Sequence, residues 1–167
     1  MRQFLDCCVY LIIIGLAGFL VGRVLPKEWF CFEQFPYHTF DFEKAGRIYA
    51  ILGVRDWKDK VPDMSNILSS VMPSKKLPKK VTDAHLVRMI QETCVAEFIH
   101  LALCIVGLRC LWIWDSVGGL LVALLNILGN LPYIIIQRYN RPRLVRLLES
   151  RNEKYAGRSR IYACTNP

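Results

Sequence analysis

The chain lacks the local signatures of a nucleotide-dependent or serine-dependent soluble enzyme. Its 167 residues hold no Walker loop, no Rossmann glycine fingerprint and no G-x-S-x-G elbow. No serine stands out as a nucleophile. Direct transfer between two bound substrates, with a base activating a hydroxyl, is therefore easier to support than a covalent intermediate. The seven cysteines (Cys7, Cys8, Cys31, Cys94, Cys104, Cys110 and Cys164) form no Cys-x-x-Cys pair, and four of them fall in or beside apolar runs. That pattern argues for small hydrophobes in reduced surroundings over a disulfide framework or a zinc site. His38, His85 and His100 are the only histidines and fit no standard ligand spacing, so neither a metal nor a cofactor is expected. No nucleic-acid motif accompanies the net charge of +8, so no nucleic-acid partner is expected. Arg2 is offset by Asp6, and no small-residue cleavage site precedes Pro26, which disfavours a cleaved signal peptide.

What the chain does contain is apolar sequence in long runs. It is 53% hydrophobic and 22% charged, a combination that fits if the apolar residues are segregated into membrane spans. The first run is Cys7 to Leu25, with Arg23 placed to snorkel at its end and Gly15, Gly18 and Gly22 permitting close helix packing. A second helix, capped by Thr82 or Asp83, begins amphipathic and turns apolar from Cys94 to Trp114. Arg109 and the Trp pair are its interfacial anchors. The third run, Leu120 to Ile136, is interrupted by Asn126, Asn130 and Pro132, which are costly in lipid unless they face other helices or a polar cavity. The expectation is an all-α integral membrane protein forming one domain over 1–167, with three transmembrane helices near 7–25, 95–114 and 117–137. The intervening loop, 26–94, opens with an interfacial amphipathic aromatic segment running from Trp29 to Tyr49. Tyr49 to Asp63 reads as a short helix or turn closed by Pro62. Lys75, Lys76, Lys79 and Lys80 then sit in a solvated loop.

Basic residues set the orientation. The tail from Arg138 to Arg160 carries eight Lys and Arg against Glu149 and Glu153. Positive charge collects on the inner side, which puts the N-terminus outside the cell membrane and the C-terminus and site toward the cytoplasm. A basic tail beside an apolar helix suits anionic lipid or a phosphorylated substrate.

Three polar groups are candidates for chemistry. Glu97 and His100 lie three residues apart on one helix face just inside the cytoplasmic entry of the second span. Either the imidazole is a general base oriented by the carboxylate, or the two form a structural pair between helices. His38 and Glu43, with Asp41 and Arg47, offer a second His and carboxylate for acid–base work, or else a solvated interfacial face. The cluster Gln137-Arg138-Tyr139-Asn140-Arg141-Pro142-Arg143 supplies planar forked donors suited to phosphate. Pro142 is expected to push Arg141 out of helical geometry and to end the helix there, with the basic tail 138–167 beyond the span. Trp57 and Lys58 are either a further phosphate or headgroup contact or ordinary interfacial surface.

Four segments then fall in a recognisable order: His38-Thr-Phe-Asp-Phe-Glu43-Lys-Ala-Gly46-Arg-Ile-Tyr49, Val54-Arg-Asp-Trp57-Lys58-Asp-Lys60-Val-Pro62-Asp63, Ala96-Glu97-Phe-Ile-His100, and Asn130-Leu-Pro132 onward through Gln137-Arg138-Tyr139-Asn140-Arg141-Pro142-Arg143. Together they resemble the glycosyl-4,4'-diaponeurosporenoate acyltransferase family, small membrane enzymes that esterify the sugar of staphyloxanthin-type carotenoids with a fatty acyl chain. The resemblance implies an acyltransferase with membrane lipids around it, an acyl-CoA or acyl-carrier thioester as donor and a lipid-like glycoside as acceptor. On that footing His100, oriented by Glu97, deprotonates the acceptor hydroxyl. Arg138, Arg141 and Lys58 hold donor phosphates, and Asn130 or Asn140 polarises the thioester carbonyl. The competing readings are a non-catalytic lipid-binding membrane subunit, or a membrane methyltransferase or reductase.

Overall fold

The computed structural model describes residues 1–61 and 82–154; the lysine-rich loop and the last part of the basic tail lie outside the described residues. Among these residues there is no strand. Six helices follow in order: α1 (Arg2–Val24), α2 (Arg47–Ile51), α3 (Val54–Trp57), α4 (Asp83–Gly107), α5 (Cys110–Ile113) and α6 (Val117–Lys154). Short 3-10 turns at Lys27–Trp29, Asp41–Gly46 and Lys58–Lys60 shape the aromatic segment and the stretch after α3.

Three helices are long and apolar enough to cross a membrane: α1, α4 together with α5, and α6. Burial explains why they need lipid. Along α1 only Cys7 is buried, while Ile12, Ile13, Leu16 and Leu20 stand exposed. A contiguous apolar surface of that size is incompatible with water. Thr82 caps α4 through its hydroxyl, which accepts a hydrogen bond from the His85 N–H at 3.3 Å.

The helices pair in register. α4 and α6 run antiparallel as the central pair, with Leu86 and Ile90 packed on Leu144 and Leu148 at one end. At the other end Cys7 of α1 meets Cys110 and Val122, and Phe4 meets the edge of Trp114. Two of the three glycines in α1 do allow close approach. A Cβ on Gly18 or Gly22 would lie 3.3 Å from the Ile99 side chain, whereas Gly15 faces open space.

Two expectations are corrected. The chain does not turn at Pro142. α6 runs on through Pro132 and Pro142 to Lys154. An interior proline costs a helix roughly 3 kcal/mol, but tertiary contacts hold both flanks. Pro142 is itself buried, its ring 3.6 Å from where a Cβ on Gly46 would lie. Arg138 and Arg141 bind across to α4 before it, and Leu144 and Leu148 pack on α4 after it. Cys7, Cys8, Cys94, Cys104 and Cys110 are free thiols as expected, but Cys31 is disulfide-bonded.

Filling the α1–α4 contact tests this packing. Gly22→Leu should lower stability by about 1–3 kcal/mol through overpacking against Ile99, seen as a drop in the thermal midpoint in detergent. The same change at Gly15 should be nearly neutral.

Candidate active site

The centre of the molecule is a knot of two carboxylates and two guanidinium groups, with Glu43, Glu97 and Arg141 buried and Arg138 partly so. Glu43 comes from the 3-10 turn Asp41–Gly46 within the aromatic segment, Glu97 from α4, and Arg138 and Arg141 from one face of α6. Residues three apart on a helix share a face, so the two arginines point the same way. Arg138 donates from Nε to Glu97 Oε1 at 2.7 Å, from Nη1 to Glu43 Oε1 at 2.7 Å and from Nη2 to the Pro36 carbonyl at 2.6 Å. Arg141 donates from Nη2 to Glu97 Oε2, from Nε to Thr93 Oγ1 at 2.9 Å and from Nη1 to the Tyr37 carbonyl at 2.7 Å. Glu43 also accepts from the Tyr49 hydroxyl and from the Phe40 N–H. Burial and this bond to Glu43 push the Tyr49 phenol well above its ordinary range, which keeps it a donor. Phe40 and Tyr37 cover the two guanidinium groups at 4.8 and 5.6 Å.

The knot carries two negative and two positive charges, and each carboxylate faces more than one donor. Buried charge is tolerated when it is paired and hydrogen-bonded in this way. The four groups join the segment around Pro36–Glu43 to both central helices.

One turn further along α4 a second polar group begins. The Leu103 carbonyl accepts from Asn126 Nδ2 at 3.0 Å. Asn130 Nδ2 donates to the Asn126 carbonyl at 2.9 Å and to Asn126 Oδ1 at 3.2 Å. Asn130 Oδ1 lies 2.8 Å from His100 Nδ1. Backbone carbonyls can only accept, so they fix which way both amides face. Asn130 therefore presents an acceptor to His100, and Nδ1 carries the proton. In the neutral ring Nε2 is then the basic nitrogen. Tyr133 stacks on the imidazole at 4.6 Å with an 8° interplanar angle. The relay needs Gly107, because a Cβ there would fall 2.1 Å from Asn126 Nδ2.

The remaining sequence candidates divide between two places. Lys58, Gln137, Asn140 and Arg143 line one cleft of about 300 Å³ with Glu92 and Thr93. Arg143 lies over the ring of buried Tyr139 at 3.7 Å. His38 sits among aromatic rings, 4.4 Å from Phe40 and 6.4 Å from Phe35. The Trp57 indole donates to the Leu52 carbonyl at 3.1 Å. Thr93, the Pro36 and Tyr37 carbonyls, Asn126, Tyr133 and Gly107 were not singled out as site residues in the sequence. The available signal was the i, i+4 spacing of Thr93 with Glu97 and of Asn126 with Asn130.

Removing one charge from the knot should be costly. Glu97→Gln leaves Arg138 and Arg141 short of a countercharge and should destabilise the protein by about 3–5 kcal/mol, measured as a lowered midpoint in thermal or denaturant unfolding in detergent.

Comparison with known proteins gives a consistent picture. The family model for glycosyl-4,4'-diaponeurosporenoate acyltransferase matches residues 33–150, which contain the knot, the relay and the cleft. The Staphylococcus aureus (strain N315) protein of that name is 32% identical over 157 residues, covering 89% of this chain and 92% of its own. The strain Newman protein of the same name is 33% identical over 147 residues, covering 85% and 86%. No solved structure matches. The chain belongs to the glycosyl-4,4'-diaponeurosporenoate acyltransferase family.

Proposed function

We propose that this protein transfers a fatty acyl group from a thioester donor to a sugar hydroxyl of a glycosylated carotenoid or a related isoprenoid glycolipid, at the cytoplasmic side of the membrane. The observation that carries the reading is the directed relay from the Leu103 carbonyl through Asn126 and Asn130 to His100. It orients a base for hydroxyl activation without a nucleophilic serine.

In this mechanism His100 Nε2 takes the proton of the acceptor hydroxyl as the oxygen attacks the thioester carbonyl. A C–O bond forms and the C–S bond breaks. The thiolate leaves and receives the proton from the imidazolium, giving ester and free thiol. Asn130 has its amide nitrogen on Asn126 and its oxygen on His100, so we assign it to orienting the base and not to polarising the carbonyl. Glu97 lies one turn from His100 and acts as a positioning residue: its oxygens hold Arg138 and Arg141, which fixes α6, the helix that carries Asn130, against α4. The acyl chain and the isoprenoid part of the acceptor lie against the apolar helix faces, where both are soluble.

The test is acyl transfer in membranes, from a labelled acyl thioester to glycosyl-4,4'-diaponeurosporenoate. At normal expression, His100→Ala should lower the rate by about two to four orders of magnitude. Asn130→Ala should lower it less. Gly107→Ala should resemble Asn130→Ala, because it displaces Asn126 while leaving every hydrogen-bonding side chain present. Full transfer by His100→Ala would remove the proposed base.

A further inference from the structure

We infer that the cleft lined by Lys58, Glu92, Thr93, Gln137, Asn140 and Arg143 binds the phosphate end of a phosphopantetheine thioester, the chemistry shared by acyl-CoA and acyl-carrier protein. This inference rests on the acyl-transfer reading and assigns the donor's position within it. The inward stripe of α6 is fully used by the protein: the guanidinium groups of Arg138 and Arg141 both lie on carboxylates and carbonyls. The neighbouring stripe, Gln137, Asn140 and Arg143, repeats at three-residue intervals and lines the cleft. Among the described residues these three side chains make no hydrogen bond or ion pair, in contrast to the adjacent arginines.

The field in the cleft is positive. Glu92 is its acidic wall residue, and that carboxylate is already offset by Arg88 at 3.4 Å and Lys27 at 3.9 Å. Lys58 has the exposed Asp59 at 3.2 Å and keeps further donors on its ammonium. Arg143 Cζ lies 3.7 Å from the centre of the Tyr139 ring, a cation–π contact that seats the guanidinium at the cleft wall. An ammonium, a guanidinium and two amides together suit a phosphate followed by a chain of amides.

Position separates donor from acceptor. Thr93 at the cleft and His100 are seven residues apart on α4, about 10 Å of helix axis. The sugar hydroxyl must lie at His100 to react. A group in the cleft is therefore some ten ångströms from the reacting carbonyl, which fits an elongated donor with its charge at the far end.

The test uses the full chain in lipid nanodiscs with three donors: acyl-CoA, acyl-carrier protein and acyl-pantetheine, which lacks the phosphate. Arg143→Gln and Lys58→Gln should each raise KM for a phosphorylated donor roughly tenfold or more, the loss of a charge-assisted contact, with KM for the acceptor unmoved. Acyl-pantetheine should show a raised KM with the unaltered protein and little further change in the variants. Comparing acyl-CoA with acyl-carrier protein shows which is the working source. Unchanged KM in both variants overturns the site. Coenzyme A binding is read separately, as thermal stabilisation. His100→Ala should keep it, and loss of binding in Arg143→Gln but not in His100→Ala supports the site even if no hydroxyl is ever acylated. No stabilisation by coenzyme A or carrier protein, while transfer from other donors continues, overturns the site and leaves the transfer reading intact.

Discussion

The bonding of Glu43 and Glu97 to Arg138 and Arg141 is the constraint on which the rest of the structure depends. Four charges are largely withdrawn from water at a place where the two central helices and an irregular segment meet. They can remain there only because each is matched. In consequence α6 cannot bend away from α4, and the segment around Pro36–Glu43 cannot leave the helix pair without exposing an unpaired charge. The two proposed sites lie on the two sides of this knot: the His100 relay toward the apolar half of α4, and the Lys58–Arg143 cleft toward its N-terminal end.

The relay shows the same logic without charge. Two asparagines in an apolar helix would be expensive facing lipid. Here each amide has a partner, and the last acceptor is a backbone carbonyl of α4. That carbonyl gives the chain of bonds a direction and so sets the histidine tautomer. Room for Asn126 beside α4 comes from the missing side chain of Gly107. A single glycine thus connects helix packing to the tautomer of His100.

Much of this was legible from residues alone, and the misses have physical causes. Three apolar runs predicted the three long helices, and of the two cap candidates, Thr82 and Asp83, the structure uses Thr82. The cost of Asn126 and Asn130 in lipid correctly demanded protein partners. The proline rule failed at Pro142 because it describes an isolated helix, whereas α6 is held on both sides of that residue by α4. Three-residue spacing put Glu97 and His100 on one face and suggested that the carboxylate orients the imidazole, whereas the structure places Asn130 on His100 Nδ1 and two arginines on Glu97. Glu97 pairs with side chains 41 and 44 residues away, and His100 with one 30 residues away. Nor does spacing divide the arginine cluster. Arg138 and Arg141 face inward and Arg143 outward only because of the rotation of α6 against α4, which is a tertiary fact.

The central claim is that the relay delivers a histidine with its proton on Nδ1 and a basic Nε2. Nitrogen-15 NMR of the full chain, selectively labelled at histidine in detergent or nanodiscs and assigned by comparison with His100→Gln, reads that tautomer directly. The account predicts the Nδ1-protonated form for His100 in the neutral ring, with its signature lost or mixed in Asn130→Ala. A neutral His100 protonated at Nε2 in the unaltered protein would contradict it.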